Sequence, residues 1–82
     1  MADYNGVKTK NINKDLDIYI GNRVKLRRTM LGISQDRLGT SLGITFQQIQ
    51  KYEKGVNRIS ASTLYSIANI LGVDFSYFIE GS

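Results

Sequence analysis

Four glycines divide most of this 82-residue chain into segments that each have the length of one short helix. Each glycine lies where a helical apolar pattern stops, and a residue that favours helix N-caps begins the next pattern. Glycine readily adopts the left-handed backbone of a helix C-terminus, and Ser, Thr and Asp accept hydrogen bonds from first-turn N–H groups. The alternation of glycines and N-cap residues therefore predicts successive helices. The glycines are Gly32, Gly43, Gly55 and Gly72, and the caps are Ser34, Thr45, Ser60 and Asp74.

The apolar spacing indicates an all-α fold, a compact bundle of about five short helices. No segment alternates apolar and polar residues over a useful length. The clearest amphipathic stripe consists of Leu64, Ile67, Ala68 and Leu71. The helical spacing begins at Leu16, whereas the preceding residues are mostly polar. We therefore expect a flexible N-terminal arm over residues 1–15 and one domain over residues 16–82.

The composition excludes much chemistry. The chain has no histidine and no cysteine, so it lacks the commonest general base, the commonest metal ligand and any thiolate. We therefore predict no catalytic residues, no metal site and no cofactor, and we expect that the chain is not an enzyme. No small-molecule ligand is evident. No apolar run reaches the length of a membrane span, and we expect a cytoplasmic protein.

The positive charge is concentrated in the middle of the chain. Residues 20–59 contain eight basic and two acidic residues, whereas the flanking segments are neutral or acidic. This distribution is typical of a surface that binds phosphate or another polyanion, and it also fits an ordinary basic surface.

Two very short predicted helices, about residues 35–42 and 46–54, are joined by three residues. This is the arrangement of a helix-turn-helix. One face of the second helix carries Gln47, Gln50, Lys51 and Lys54. Glutamine can pair with adenine N6 and N7, and lysine can reach guanine or a phosphate. The same stripe is also typical of a solvated helix face, and these residues alone leave both interpretations open.

Phe46 opens this second helix at a position that we expect to be exposed. An exposed phenylalanine can contact a thymine methyl group in the major groove. It can equally pack against Leu42 or the turn. Both placements remain open on the sequence alone.

Arg28 and Glu53 fall on the inward stripes of their respective helices. Arg28 continues the stripe of Ile20 and Val24, and Glu53 lies one turn beyond Ile49. Since either charge alone is costly to bury, we predict a bidentate ion pair that ties the first helix to the third.

The stretch from Arg23 to Gly72 resembles the lambda-repressor-like helix-turn-helix family, also called the Cro/CI or XRE family. The resemblance covers about fifty residues, in which caps, glycines and core positions agree in order and spacing. The matching residues are Arg28-Thr29-Met30-Leu31-Gly32-Ile33-Ser34-Gln35, Leu38, Leu42-Gly43-Ile44-Thr45, Ile49, Tyr52-Glu53-Lys54-Gly55 and Leu64 to Val73.

This resemblance implies a sequence-specific DNA-binding transcriptional regulator that reads the major groove of double-stranded DNA with its third helix. Family members usually bind pseudo-palindromic operators as dimers, and we expect this chain to associate with the nucleoid when it is bound to DNA. Arg28 and Glu53 match the family's buried ion pair. The implied base-reading residues are Phe46, Gln47, Gln50 and Lys51, and the implied phosphate-binding residues are Gln35, Thr45, Lys54, Asn57 and Arg58.

Two features depart from the family pattern. Gly39 stands where alanine is common, and Phe46 stands where the residue is often polar.

We expect a homodimer to form through the C-terminal helices, where apolar residues are concentrated. These residues are Phe75, Tyr77, Phe78 and Ile79.

A different class of function fits the same fold, because the fold alone does not determine what a protein binds. The alternative is an antitoxin or an adaptor, a module that binds another protein. The polar and basic face of the third helix favours DNA.

Overall fold

A computed structural model describes the backbone of residues 7–82 and the side chains of residues 13–82. This part of the chain contains four α-helices and one short 3₁₀ helix, and no strand. The α-helices are α1 (Val7–Met30), α2 (Gln35–Leu42), α3 (Phe46–Glu53) and α4 (Ala61–Leu71), and the 3₁₀ helix spans Phe75–Phe78. The predicted all-α helix-turn-helix bundle is confirmed.

The start of α1 differs from the prediction. The helix begins at Val7, nine residues before the expected start at Leu16, so the proposed arm of residues 1–15 overlaps it over residues 7–15. Residues 1–6 of that arm lie outside the described residues. Residues 7–15 contain neither proline nor glycine, and each added helical residue gains a backbone hydrogen bond. A mostly polar sequence does not prevent a helix.

The end of the chain also differs. A single four-residue 3₁₀ helix replaces the predicted fifth α-helix. Asp74 occupies its N-cap position, but the Asp74 side chain accepts no hydrogen bond there. Four residues form little more than one turn, which is the usual length of a 3₁₀ segment.

The predicted helix boundaries inside the bundle are confirmed. The side chains of Ser34, Thr45 and Ser60 each accept a hydrogen bond from the backbone N–H three residues later. All four predicted stop glycines have a positive φ. Thr45 and Gln48, three residues apart, have the sequence of a capping box, but only the Thr45 side of it forms, because the Gln48 amide donates to Asn57 Oδ1 at 3.2 Å.

The core takes apolar side chains from every helix. Its fully buried members include Val24 from α1, Leu38 from α2, Ile49 from α3 and Ile67 from α4, and Phe78 closes it from the 3₁₀ helix. Because α2 and α3 have only eight residues each, they depend on this packing for stability. The shared core therefore fixes where α3 lies relative to α1 and α2.

The burial of Phe78 corrects one part of the predicted dimer surface. Phe78 is completely buried, and Tyr77 is half-buried. Phe75 and Ile79 are exposed, by 39% and 41%. Of the four residues predicted to meet a partner, Phe78 belongs to the core of its own chain, because burying its large apolar side chain there removes it from water.

Candidate nucleic-acid interface

The turn between α2 and α3 is tight because Gly39 has no side chain. A Cβ atom at Gly39 would lie 2.7 Å from the carbonyl oxygen of Ile44, which belongs to the turn. The Ile44 N–H donates back to the Gly39 carbonyl at 2.9 Å. The backbone of the turn therefore lies directly on α2, and this contact sets the position at which α3 begins.

The far end of α3 is held by a buried ion pair. Arg28 Nε donates to Glu53 Oε2 at 2.6 Å, and Arg28 Nη2 donates to Glu53 Oε1 at 2.9 Å. Arg28 is 7% exposed and Glu53 is 3% exposed. The remaining terminal nitrogen of Arg28 donates to the Ile33 carbonyl at 2.8 Å. The predicted bidentate pair is thus present, and it also holds the loop that follows α1.

Gln35 adds α2 to the same network. Its side-chain amide donates to Glu53 Oε1 at 3.0 Å. A single carboxylate therefore receives hydrogen bonds from α1 and α2 while its own backbone belongs to α3. Buried polar networks of this kind are stabilising when every member has a partner, and they define one relative orientation of the helices.

The opposite face of α3 is free of such contacts. Gln47, Lys51 and Lys54 are exposed, and Gln50 is half-buried. None of these four side chains makes a hydrogen bond or an ion pair with another described residue. Phe46 lies beside them and is 40% exposed. The structure therefore gathers the predicted base-reading residues, with Lys54, on one side of a helix whose other side is held rigidly.

The remaining predicted phosphate-binding residues have partners within the chain. Thr45 caps α3. Asn57 accepts from Gln48, and Arg58 Nε donates to Asp17 Oδ2 at 3.2 Å. Asn57 and Arg58 are nevertheless exposed, so these side chains remain accessible from solvent.

A sequence profile of helix-turn-helix proteins matches residues 24–78, which is more than half of the chain. The chain belongs to the lambda-repressor-like helix-turn-helix family. The matched range begins at the buried Val24 and ends at the buried Phe78, so it coincides with the packed core of this helix-turn-helix domain.

Several curated relatives are similar over a larger part of the chain. A protein of Sinorhizobium medicae named as an uncharacterised HTH-type transcriptional regulator is 58% identical over 74 residues, which are 90% of this chain and 53% of the relative. An uncharacterised transcriptional regulator in the ATPase CF(0) region of Rhodospirillum rubrum is 54% identical over 65 residues, covering 79% of this chain and 60% of the relative. The chain thus spans little more than half the length of these relatives.

The structure divides the basic residues of the helix-turn-helix domain into two groups, which the sequence did not separate. Three arginines of α1 are used inside the domain. Arg23 Nε donates to the Tyr77 carbonyl and Arg27 Nε to the Leu71 carbonyl, each at 2.9 Å, and Arg28 pairs with Glu53. The basic side chains on residues 20–59 without such a partner among the described residues are Lys25, Arg37, Lys51 and Lys54.

Helical periodicity contains a signal that can separate the two groups. Arg23 and Arg27 lie four residues apart on the flank of the Ile20–Val24 stripe, so they border the apolar face that the C-terminal segment covers. A long side chain in this position can keep its stem on the apolar surface while its guanidinium reaches a carbonyl.

Two further observations describe what the domain lacks within residues 7–82. No helix there is both long and apolar enough to cross a membrane. In the same range, no group of acidic side chains has a geometry that could hold a metal ion.

Proposed function

We propose that this chain is the sequence-specific DNA-binding part of a transcriptional regulator, and that α3 reads base edges in the major groove. The unengaged polar face of α3 carries this proposal. Gln47, Gln50 and Lys51 can donate to or accept from base edges, because none of them is committed to another described residue. Phe46, exposed at the start of the same helix, can contact a thymine methyl group.

Phosphate contacts then fix the register of the domain on DNA without reading its sequence. Lys54, Asn57 and Arg58 supply side chains, and Gln35 and Thr45 lie at the N-termini of α2 and α3, where backbone N–H groups favour anions. In this proposal the Arg28–Glu53–Gln35 network does not touch the bases. Its role is to hold α3 at the angle at which the base and phosphate contacts can form together.

The same proposal includes a homodimer. The exposed Phe75 and Ile79 follow α4 and supply apolar surface for a second copy. A two-fold dimer on DNA requires its two recognition helices to lie about 34 Å apart, so that both enter the major groove on one side of the duplex. Such a dimer binds a pseudo-palindromic site.

Selection of bound duplexes from a random pool tests this proposal. We expect enrichment of one motif with two related half-sites about ten base pairs apart, and a measured stoichiometry of two chains per site. A single enriched half-site with one chain per duplex would support base reading by α3 and contradict the homodimer. If no motif is enriched, α3 does not read sequence, and the protein-binding alternative is favoured.

A further inference from the structure

A polar cavity lies between α1, α2 and α3, next to the proposed recognition face. Its volume is about 220 Å³, and its lining residues are Asn22, Lys25, Gln35, Gln50, Glu53 and Lys54. One water molecule in the liquid occupies about 30 Å³, so the cavity has room for a group larger than a single water. Asn22 and Lys25 belong to α1 and are not among the residues that the family resemblance implies as DNA contacts.

The charge of the cavity wall is positive despite the presence of Glu53. Both Glu53 oxygens already accept hydrogen bonds from Arg28, and Gln35 donates to one of them as well. Lys25 and Lys54 make no ion pair with any described residue. When Arg28 is counted with Glu53, two lysine charges remain uncompensated at the wall, which favours an anionic occupant.

The uncharged groups of the wall are suitable for the same occupant. The side chains of Asn22 and Gln50 make no hydrogen bond with another described residue, so their amides are free to donate. Gln35 is also the first residue of α2, whose N-terminal turn therefore begins at the cavity. Lysine ammonium, side-chain amide and helix N-terminus are the donors that proteins commonly direct at phosphate.

The position of the cavity indicates where the phosphate comes from. Gln50 of α3 and Lys54 at its C-cap lie one turn apart, and both contribute to the recognition face as well as to the cavity wall. DNA that contacts α3 therefore passes the mouth of this cavity. We propose that Asn22 and Lys25 of α1, together with Lys54 at the C-cap of α3, bind one phosphate group of the DNA backbone there, so that α1 forms part of the DNA interface.

This inference rests on the proposed function, and a charge-removal variant separates the two. Lys25→Gln keeps most of the side-chain length and removes the charge at an exposed position. Since the substitution removes a charge-assisted hydrogen bond to the phosphate, binding is expected to weaken about tenfold or more. The loss applies equally to the selected duplex and to random DNA, and the slope of log K against log salt falls by about 0.9.

Arg37→Gln is the matched control. Arg37 is exposed on α2, but it lies two residues from Gln35 and therefore points away from the cavity. It removes the same charge from the domain. If Lys25→Gln and Arg37→Gln change the affinity and the salt slope equally, Lys25 acts only through net charge and the cavity site is rejected.

A duplex with single neutral methylphosphonate linkages identifies the phosphate. One such linkage is expected to weaken binding of the unaltered protein and to have no further effect on the Lys25→Gln variant, because the contact is already lost. The same linkage is expected to weaken binding of the Asn22→Ala variant less than it weakens binding of the unaltered protein. If every linkage affects the unaltered protein and Lys25→Gln alike, the cavity holds no phosphate. If the unaltered protein binds neither the selected duplex nor random DNA, the proposed function and this site are both rejected.

Discussion

Arg28 and Glu53 join the C-terminal parts of α1 and α3 through two hydrogen bonds of 2.6 and 2.9 Å in the interior of the domain. The pair connects the helix that carries the core stripe to the helix that carries the proposed recognition face. Because Gln35 donates to the same carboxylate, the pair also determines how α2 meets α3. A contact far from any base edge thus controls the geometry of the surface that would meet DNA.

Breaking this pair is expected to destabilise the domain strongly. Arg28→Met leaves the Glu53 carboxylate buried without its main partner, which costs about 3–5 kcal/mol of unfolding free energy. The unfolding midpoint in urea measures the loss. A double variant, Arg28→Met with Glu53→Leu, should recover much of the stability, since no charge is then left unpaired. Arg58→Met serves as the control because its ion pair with Asp17 leaves Arg58 largely exposed. An Arg28→Met protein as stable as this control would contradict the role given to the pair.

Gly39→Ala is expected to destabilise the domain although alanine is the better helix former. Helix propensity alone favours alanine by about 1 kcal/mol. The new Cβ, however, would lie 2.7 Å from the Ile44 carbonyl oxygen, a backbone atom that can move only if the turn moves. We expect a net loss of about 1–3 kcal/mol, the usual cost of overpacking. Thr40→Ala, at the adjacent exposed position of α2, provides the comparison, and it should stabilise slightly. Equal stabilisation by both substitutions would show that the turn has room.

Gln47→Ala tests base reading by α3. The side chain is exposed and has no partner among the described residues, so its removal should leave the unfolding free energy almost unchanged. Affinity for the selected duplex should fall by about 1–3 kcal/mol, and affinity for random DNA should change little. Binding titrations on both duplexes at one salt concentration measure the difference. A loss of equal size on both would mean that Gln47 does not distinguish bases.

Some of these relationships can be predicted from the sequence because they follow helical periodicity. The inward stripes of α1 and α3 place Arg28 and Glu53 in the interior, where two opposite charges are expected to pair. Gly43 ends α2 and Thr45 caps α3, so the turn between these helices also follows from the local sequence. These features require only the residues within a few helical turns.

Other features depend on segments that are distant in sequence, and periodicity gives no access to them. Gln48 donates to Asn57 and not to the backbone of Thr45, because the loop after α3 brings Asn57 alongside. Phe75 and Phe78 belong to a run too short to show which aromatic points inward. The cavity that includes Lys25 exists only once three helices have packed, so periodicity places Lys25 away from the apolar stripe but does not show that it lines a cavity.

Arg23→Met tests whether the positive charge of the domain is divided as the structure indicates. The Arg23 guanidinium lies 4.0 Å from the ring centre of Tyr77, and its Nε donates to the Tyr77 carbonyl at 2.9 Å. Losing both contacts should cost about 1–2 kcal/mol of unfolding free energy, because the guanidinium anchors the C-terminal segment over the core. The salt slope of DNA binding should not change, since this side chain points to the C-terminal segment and not to α3. Lys51→Met is expected to behave in the opposite way. The unfolding free energy should stay unchanged, and the salt slope of DNA binding should fall by about 0.9 if the Lys51 ammonium contacts a phosphate. If Arg23→Met lowers the salt slope of DNA binding in a protein that remains folded, Arg23 belongs to the DNA interface and the proposed division of the basic residues is wrong.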